Sequence, residues 1–348
     1  MKKTLYDYTY EQLIDYVLVH DQKSYRAKQL YTWLYKKRIA TIDDMHDVSK
    51  VFRDHLKNEF ETNSLILKEK QVSADQTVKY LFELSDGYLV ESVLMHHDYG
   101  KSVCVSTQIG CNMGCGFCAS GLIKKQRNVT AGEMVQQVLF IQNELDANDE
   151  RVSSVVVMGI GEPFDNYDHV LDFLKIINSD HGLGIGARKL TISTCGLIDG
   201  ILKLAEEPLQ INLAISLHAP NDAIRSQIMP INRVFPIKDL MQALDVYYEK
   251  TKRRITYEYL LLAGINDDVK HANELADLIR NQNAYVNLIP YNPVPEQPYQ
   301  RPSIKKAFAF YDQLKKRNIQ VTLRQEHGVD IDAACGQLRS KRMKEVES

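Results

Sequence analysis

Residues 104–118 read Cys104-Val-Ser-Thr-Gln-Ile-Gly-Cys111-Asn-Met-Gly-Cys115-Gly-Phe-Cys118. Cys111, Cys115 and Cys118 have the spacing C-x3-C-x2-C, in a glycine-punctuated loop after a short apolar strand at 102–106. Thiolates held this close repel one another and react unless a cationic centre binds them, so a metal is the first reading. Zinc usually takes four protein ligands from two separated pairs, and no second C-x2-C or H-x3-H pair lies downstream. A cubane [4Fe-4S] cluster normally takes four thiolates, so three would leave one iron open to an added ligand. A zinc knuckle with Cys104 as fourth ligand is the competing reading, and the spacing suits the open cluster better.

The rest of the chain sets bounds on this reading. Its 348 residues can bury one large core plus a smaller appended unit. The formal net charge of -2 does not announce a nucleic-acid binder, so any RNA surface must be local. Six cysteines, three of them clustered, do not form the pattern of a disulfide framework. Met1-Lys2-Lys3-Thr4 leads into no apolar signal core, and nowhere do enough apolar residues run together for a membrane span. A soluble, cytoplasmic protein without a membrane segment is expected.

Residues 1–62 read as a small helical unit, with Leu13, Ile14, Val17 and Leu18 and then Leu30, Trp33 and Leu34 at helical spacing. Its second helix carries Lys23, Arg26, Lys28, Lys36, Lys37 and Arg38, interleaved with Tyr25, Tyr31 and Tyr35. Cations can hold phosphates and rings can stack on bases, but a solvated helix face over a core-facing Trp33 explains the pattern equally well. Residues 63–96 change period: Val78, Tyr80, Phe82 and Leu84 alternate, Asp86-Gly87 marks a turn, and 88–95 return apolar. This is a hairpin just ahead of the cysteine loop. Glu91 lies within its return strand, where a carboxylate is ordinarily an exposed cross-strand partner.

From residue 97 to 335 strands and helices alternate. Thr130 opens a helix with Glu133 at the capping-box offset. Apolar strands are expected at 154–158, 189–193, 210–217, 255–262, 286–289 and 320–323, and helices at 168–178, 198–205, 237–250, 269–282 and 303–317. Such alternation argues for a parallel sheet curled into a closed or half-closed barrel, with chemistry at the C-terminal strand ends. Gly159-Ile-Gly-Glu-Pro163, Ser193-Thr-Cys-Gly196, Ser216-Leu-His218 and Pro290-Tyr-Asn-Pro293 all fall at such ends. Glu162 could bind an ammonium group there, although the same string could be an ordinary strand-to-helix turn. Gly182-Leu-Gly-Ile-Gly186 precedes a strand and so is a loop, not a dinucleotide fingerprint. His96 and His97 have no partner at ligand spacing and read as surface, and Cys195 reads as a small core residue. The proline-rich run 290–302 reads as a rigid loop over the barrel mouth. Residues 336–348, with Arg339-Ser-Lys-Arg-Met-Lys344, form a basic tail.

Taken in order, the cysteine loop, Gly159 to Pro163, Ser193 to Gly196 and Gly328-Val-Asp-Ile-Asp-Ala-Ala-Cys-Gly-Gln337 resemble the RNA adenine C2-methyltransferase family (RlmN type). The match runs from Tyr25-Arg-Ala-Lys-Gln29 to Gln337. The last motif is the most specific, and Pro163 and Cys195 look more like this family than like a sister family that methylates C8. The resemblance implies an α/β fold: a partial (β/α)6 radical S-adenosylmethionine barrel with an N-terminal helical, RNA-holding unit and a hairpin extension. It also implies one [4Fe-4S] cluster on Cys111, Cys115 and Cys118, and two molecules of S-adenosylmethionine per turnover. Gly161, Glu162, Ser193, Ser216, Leu217, His218 and Asn292 match the family's contacts to that cofactor. Cys335 matches the methyl-carrying cysteine, Cys104 the resolving one and Glu91 the proton acceptor.

Adenine C2 lies between two ring nitrogens and is electron-poor, so it cannot attack a sulfonium methyl, whereas a carbon radical can add there. In the family's chemistry a cysteine is first methylated, loses a hydrogen to a 5′-deoxyadenosyl radical, and adds to C2. A second thiol then releases the RNA by forming a disulfide, while a base takes the C2 proton. The family's substrates are 23S rRNA at the peptidyl transferase centre and a tRNA anticodon-loop adenine, which must be unstacked to be reached. A flavodoxin-like electron donor and a monomeric state are expected. Three alternatives remain: C8 methylation, a non-catalytic metal-binding RNA assembly factor, and a radical activase of proteins, which would not need Cys104 and Cys335 together.

Overall fold

A computed structural model of the chain describes residues 3–338. One continuous sheet runs through it, with ten strands side by side in chain order. They are β1 (Leu65–Val72), β2 (Val78–Leu84), β3 (Leu89–His97), β4 (Gly100–Cys104), β5 (Val152–Val157), β6 (Leu190–Thr194), β7 (Asn212–Ser216), β8 (Ile255–Leu261), β9 (Ala284–Pro290) and β10 (Val321–Leu323). Pairing is antiparallel from β1 to β4 and parallel from β4 to β10. β1 and β10 are free edges, so the barrel is open on one side.

Helices fill every parallel crossover: α4 (Ala131–Asp146), α5 (Tyr167–Asn178), α6 (Ile198–Glu206), then α7 (Asp222–Ile228) with α8 (Ile237–Thr251), α9 (Val269–Ile279) and α10 (Ile304–Lys316). The strands alternate as a half-barrel requires. Val155, Ile192, Leu213, Tyr257 and Leu288 turn outward into one core with Phe173, Leu204, Leu240, Leu275 and Phe310 of the helices. Thr191, Asn212, Thr256 and Asn287 turn inward and line a polar lumen. The capping box that opens α4 is formed: Glu133 N–H donates to Thr130 Oγ1 at 3.2 Å, and Thr130 N–H to the Glu133 carboxylate at 2.9 Å.

The hairpin ahead of the cysteine loop is extended by a third strand, β1. Its pattern Leu-Ile-Leu-Lys-Glu-Lys-Gln-Val hides a strand because the edge is defended by charge, with Lys68 paired to Glu83 and Lys70 to Glu144. The first sixty residues form α1 (Tyr10–Val19), α2 (Tyr25–Tyr31) and α3 (Lys50–Glu59), and their core is continuous with that of the barrel. Asp7 ties the two together by accepting from Gly132 N–H, at the start of α4, at 2.7 Å. The tyrosine array on the second helix is not a stacking face. α2 widens into a π-turn over Thr32–Lys37, and Tyr31 and Tyr35 lie in the core, leaving only Tyr25 of the three exposed. Lys23, Lys28, Lys36 and Lys37 stay on the surface.

The proline-rich run packs on the cysteine loop. The Tyr299 hydroxyl sits 2.7 Å from where a Cβ on Gly116 would be, and the Tyr299 ring meets Tyr291 edge-on. No helix among the described residues is long and apolar enough to cross a membrane. The basic tail Arg339 to Lys344 lies outside the described residues.

Candidate active site

At the C-terminal ends of the parallel strands lies a cavity of about 160 Å³, and all three loop cysteines line it. Their loop is clamped by backbone bonds: Cys111 N–H to Ile123 O (2.9 Å), Cys118 N–H to Cys115 O (3.1 Å) and Gly116 N–H to Ile228 O (2.9 Å). Burial pushes the Cys111 thiol up to about 11 and raises Cys115 and Cys118 as well; Cys115 is raised further by its two neighbours. Three buried, mutually repelling thiols are poor thiolates by themselves. An iron-sulfur centre, by supplying positive charge, would make thiolates the favoured state, and so the donor set fits it.

Gly161, Glu162, Ser193, Ser216 and His218, five of the residues matched to S-adenosylmethionine contacts, line the same cavity. Glu162 is buried, and both its oxygens accept backbone N–H groups, from Phe164 at 3.0 Å and Cys195 at 2.8 Å. Burial raises its pKa while those bonds pull it back down, which suits a carboxylate waiting for an ammonium partner. Gly161, at φ +108°, lets the chain pass Gln108, whose Cβ lies 2.6 Å from where a Cβ on Gly161 would be. Ser193 and Ser216 face each other on β6 and β7 with hydroxyls 3.3 Å apart. Leu217 is fully buried and its carbonyl accepts from Arg225. His218 is left-handed at φ +56°, and its Nδ1 accepts from Leu260 N–H at 3.0 Å. Burial first, and then the Arg225 charge, push its pKa down to about 3. The ring is therefore neutral with its proton on Nε2, a donor for the cavity it lines. Asn292 lines an adjoining cavity, where its Oδ1 is buried with no hydrogen-bond partner among the described residues. Such an amide oxygen fits a ligand donor.

That adjoining cavity, of about 30 Å³, brings together Cys104 and Cys335, which are distant in sequence. Cys104 ends β4 opposite Val93 of β3, and Cys335 borders both cavities. Burial, and then the nearby Cys335 sulfur, push the Cys104 thiol up to about 12, with Arg324 pulling the other way. The Cys335 segment is pinned to the cysteine loop by Ala119 N–H to Gly336 O at 2.8 Å and by the Ser120 hydroxyl to Leu338 O at 3.0 Å. All six cysteines are free thiols.

Glu91 is not exposed: it is 4 % accessible and lies on the same face of β3 as Val93 and Met95, which line the Cys104 cavity. Its carboxylate is 3.9 Å from the Lys79 ammonium. Cys195 is buried as expected, but in the cavity wall. His96 and His97 are half-buried, with His96 Nδ1 3.1 Å from Lys101 Nζ and His97 stacked on Tyr99.

The sequence reading missed three charged residues. Arg324 borders both cavities beside Cys335, and Glu258 is buried on the cavity wall and accepts from Asn287 at 2.8 Å. Arg225, fully buried, donates to the carbonyls of Cys195 (2.6 Å) and Leu217 (3.2 Å) and to Asn232 (3.0 Å), strapping two cavity turns together. Only Glu258 left a signal, as a lone charge inside an apolar strand; Arg225 and Arg324 lie among other polar residues in the sequence.

Comparison with known proteins agrees with this geometry. Residues 3–62 match the ribosomal RNA large subunit methyltransferase N-terminal domain, and residues 105–276 match the radical SAM superfamily. The chain is 55 % identical over 340 residues to the probable dual-specificity RNA methyltransferase RlmN of Staphylococcus carnosus (strain TM300), covering 98 % of this chain and 93 % of that relative. This chain belongs to the RlmN family. The corresponding relative from Enterococcus faecalis (strain ATCC 700802 / V583) is 56 % identical, covering 99 % of this chain and 98 % of its own. A crystal structure of a radical SAM methyltransferase from Sphaerobacter thermophilus superposes with TM-score 0.92 at 41 % identity, covering 97 % of this chain and 99 % of that one. Membership makes the protein a radical SAM RNA methyltransferase, and the superfamily implies a [4Fe-4S] cluster and S-adenosylmethionine.

Proposed function

We propose that this RlmN-family enzyme methylates C2 of adenine in 23S rRNA and in the tRNA anticodon loop, with Cys335 as carbon carrier. The observation that carries the reading is that Cys335 borders both the cavity of the three loop cysteines and the cavity of Cys104. Cys111, Cys115 and Cys118 would hold the cluster, while Gly161, Glu162, Ser193, Ser216, Leu217, His218 and Asn292 form the S-adenosylmethionine cradle. When bound, these groups supply a methyl for sulfur and a radical that removes one hydrogen from it; two S-adenosylmethionines are consumed per turnover.

The protein's own part is then sulfur and proton chemistry. Arg324, which lines both cavities beside Cys335, would stabilise the Cys335 thiolate by its charge. Cys335 would deliver its carbon to C2 and be left joined to the RNA, the adduct's unpaired electron would return to the bound iron-sulfur centre, and Glu91 would take the C2 proton. Cys104, as thiolate, attacks the Cys335 sulfur, so that one S–S bond forms as the carbon–sulfur bond breaks, the released methylene carbon takes up a proton to become the methyl group, and the methylated RNA leaves. The disulfide is transient, and a thiol reductant restores both cysteines. Residues 1–62 serve as an RNA-holding unit, residues 63–96 as its extension and 97–335 as the catalytic core, in a cytoplasmic monomer reduced by a flavodoxin-like donor.

The test is anaerobic cluster reconstitution, then incubation with S-adenosylmethionine, reductant and unmodified rRNA or tRNA, with mass analysis of the nucleosides. 2-Methyladenosine from both RNAs is expected; 8-methyladenosine, or zinc in place of iron with no deoxyadenosine release, would overturn the reading. Cys104→Ala should still load methyl and attack RNA, then accumulate a protein–RNA adduct visible on a denaturing gel.

A further inference from the structure

We propose that the lumen mouth at the N-terminal strand ends, opposite the cysteine loop, is a second RNA contact that holds single-stranded RNA flanking the reacting base. The lumen there encloses about 1190 Å³, more than the roughly 300–1,000 Å³ of ordinary small-molecule sites. Met158, Glu258 and Arg324 line both this space and the cysteine cavity, so the lumen leads to the chemistry.

The mouth carries the two features that single-stranded RNA needs. One is an aromatic ladder at the turn between β3 and β4. Tyr99 is 71 % exposed, its ring lies 4.6 Å from that of His97 and nearly parallel at 8°, and His97 meets His327 edge-on at 4.7 Å. One face of Tyr99 is thus braced while the ring remains open to a base. The other is cationic charge. Arg188, Lys252, Arg253 and Arg254 ring the mouth, and none of them has a carboxylate ion pair among the described residues. Arg253 is held by Asn212 at 2.9 Å and Arg254 rests over the Tyr285 ring. The only acidic residue on the described lining is Glu258, deep inside and bonded to Asn287. In a chain of net charge -2 this is a local cationic excess, complementary to a phosphate backbone.

This inference rests on the RNA methyltransferase reading, and its test separates the two. The reconstituted full-length enzyme is titrated with a fluorescein-labelled anticodon stem-loop RNA over a salt series. Tyr99→Ala should weaken binding about tenfold without changing the salt slope, and Tyr99→Phe should restore it. The double variant Arg188→Glu, Arg254→Glu should weaken binding and reduce the salt slope by about one for each phosphate no longer neutralised. Methyl loading of Cys335 needs no RNA and should proceed at the parental rate in every variant, showing that the fold and cluster site are intact. Parental affinity and slope in all variants would overturn the proposal. So would a charge-reversal defect confined to reduction by an acidic flavodoxin, which would make the mouth a reductant dock. A parent that binds the stem-loop but never methylates RNA sinks the methyltransferase reading instead, and the binding titrations still decide the mouth.

Discussion

Arg324 has its guanidinium beside Cys335, Glu258 and Cys104, and the Cys335 sulfur is the largest contributor to raising its pKa. A thiolate aimed at a sulfonium methyl gains most from such a partner in a dry cavity, where Coulomb attraction is weakly screened. Replacing Arg324 by Gln should therefore slow methyl transfer to Cys335 about tenfold, the equivalent of about 1.4 kcal/mol, in single-turnover assays with labelled S-adenosylmethionine. Arg324→Lys should fall between the two. His218 makes a separate prediction about stability. Its pKa in the fold, about 3, lies below the unfolded value of about 6.5. The unfolded chain therefore binds an extra proton between those values, so the neutral ring's contribution is complete above pH 6.5 and is lost as pH falls toward 3. In urea unfolding across pH 7 to 4, His218→Asn should flatten the acid loss, and Asn tolerates the left-handed backbone. A parental pH slope in that variant would count against the buried neutral ring.

Among the elements, α4 links the cysteine loop to β5, and its start is specified locally. The reciprocal Thr130–Glu133 bonds satisfy two orphan N–H groups, so Thr130→Ala should cost about 1 kcal/mol in urea unfolding. This is the kind of feature that can be read in the sequence, because donor and acceptor are three residues apart. The second basic helix is the opposite case. Its tyrosines and cations have the spacing of an RNA face, yet Tyr31, at the end of α2, and Tyr35, in the π-turn that follows, are both buried in the core. β1 was obscured for another reason: the alternating charges that protect an edge strand also mimic a solvated segment.

For the molecule as a whole, the cysteine loop is anchored from several directions: by the proline-rich run through Tyr299, by Ile228, and by the Cys335 segment through Gly336 and Leu338. A cluster bound at the three cysteines would thus stabilise the assembled half-barrel, since these anchors exist only in the fold. Chelation of the cluster from the anaerobic holoenzyme should lower stability by about 4 kcal/mol, as for a ligand present at a thousandfold over its Kd. Calorimetry of the two forms measures this, and equal midpoints would mean that the loop is rigid without metal. Much of the architecture was legible in advance. The six β/α units appear in the order of their apolar segments, and the polar residues within those strands are the lumen face of an open barrel.

Residue order alone carried the cysteine spacing, the helix caps and the strand–helix alternation, because each depends on contacts a few residues apart along the chain. Only folding decided that Cys104 and Cys335 share a cavity, that Arg324 and Glu258 belong beside them, and that Glu91 is buried on the same face of β3 as that cavity's lining. Those relations join distant strands, and a lone charge in an apolar segment does not say whether it faces solvent or lumen until the sheet has curled.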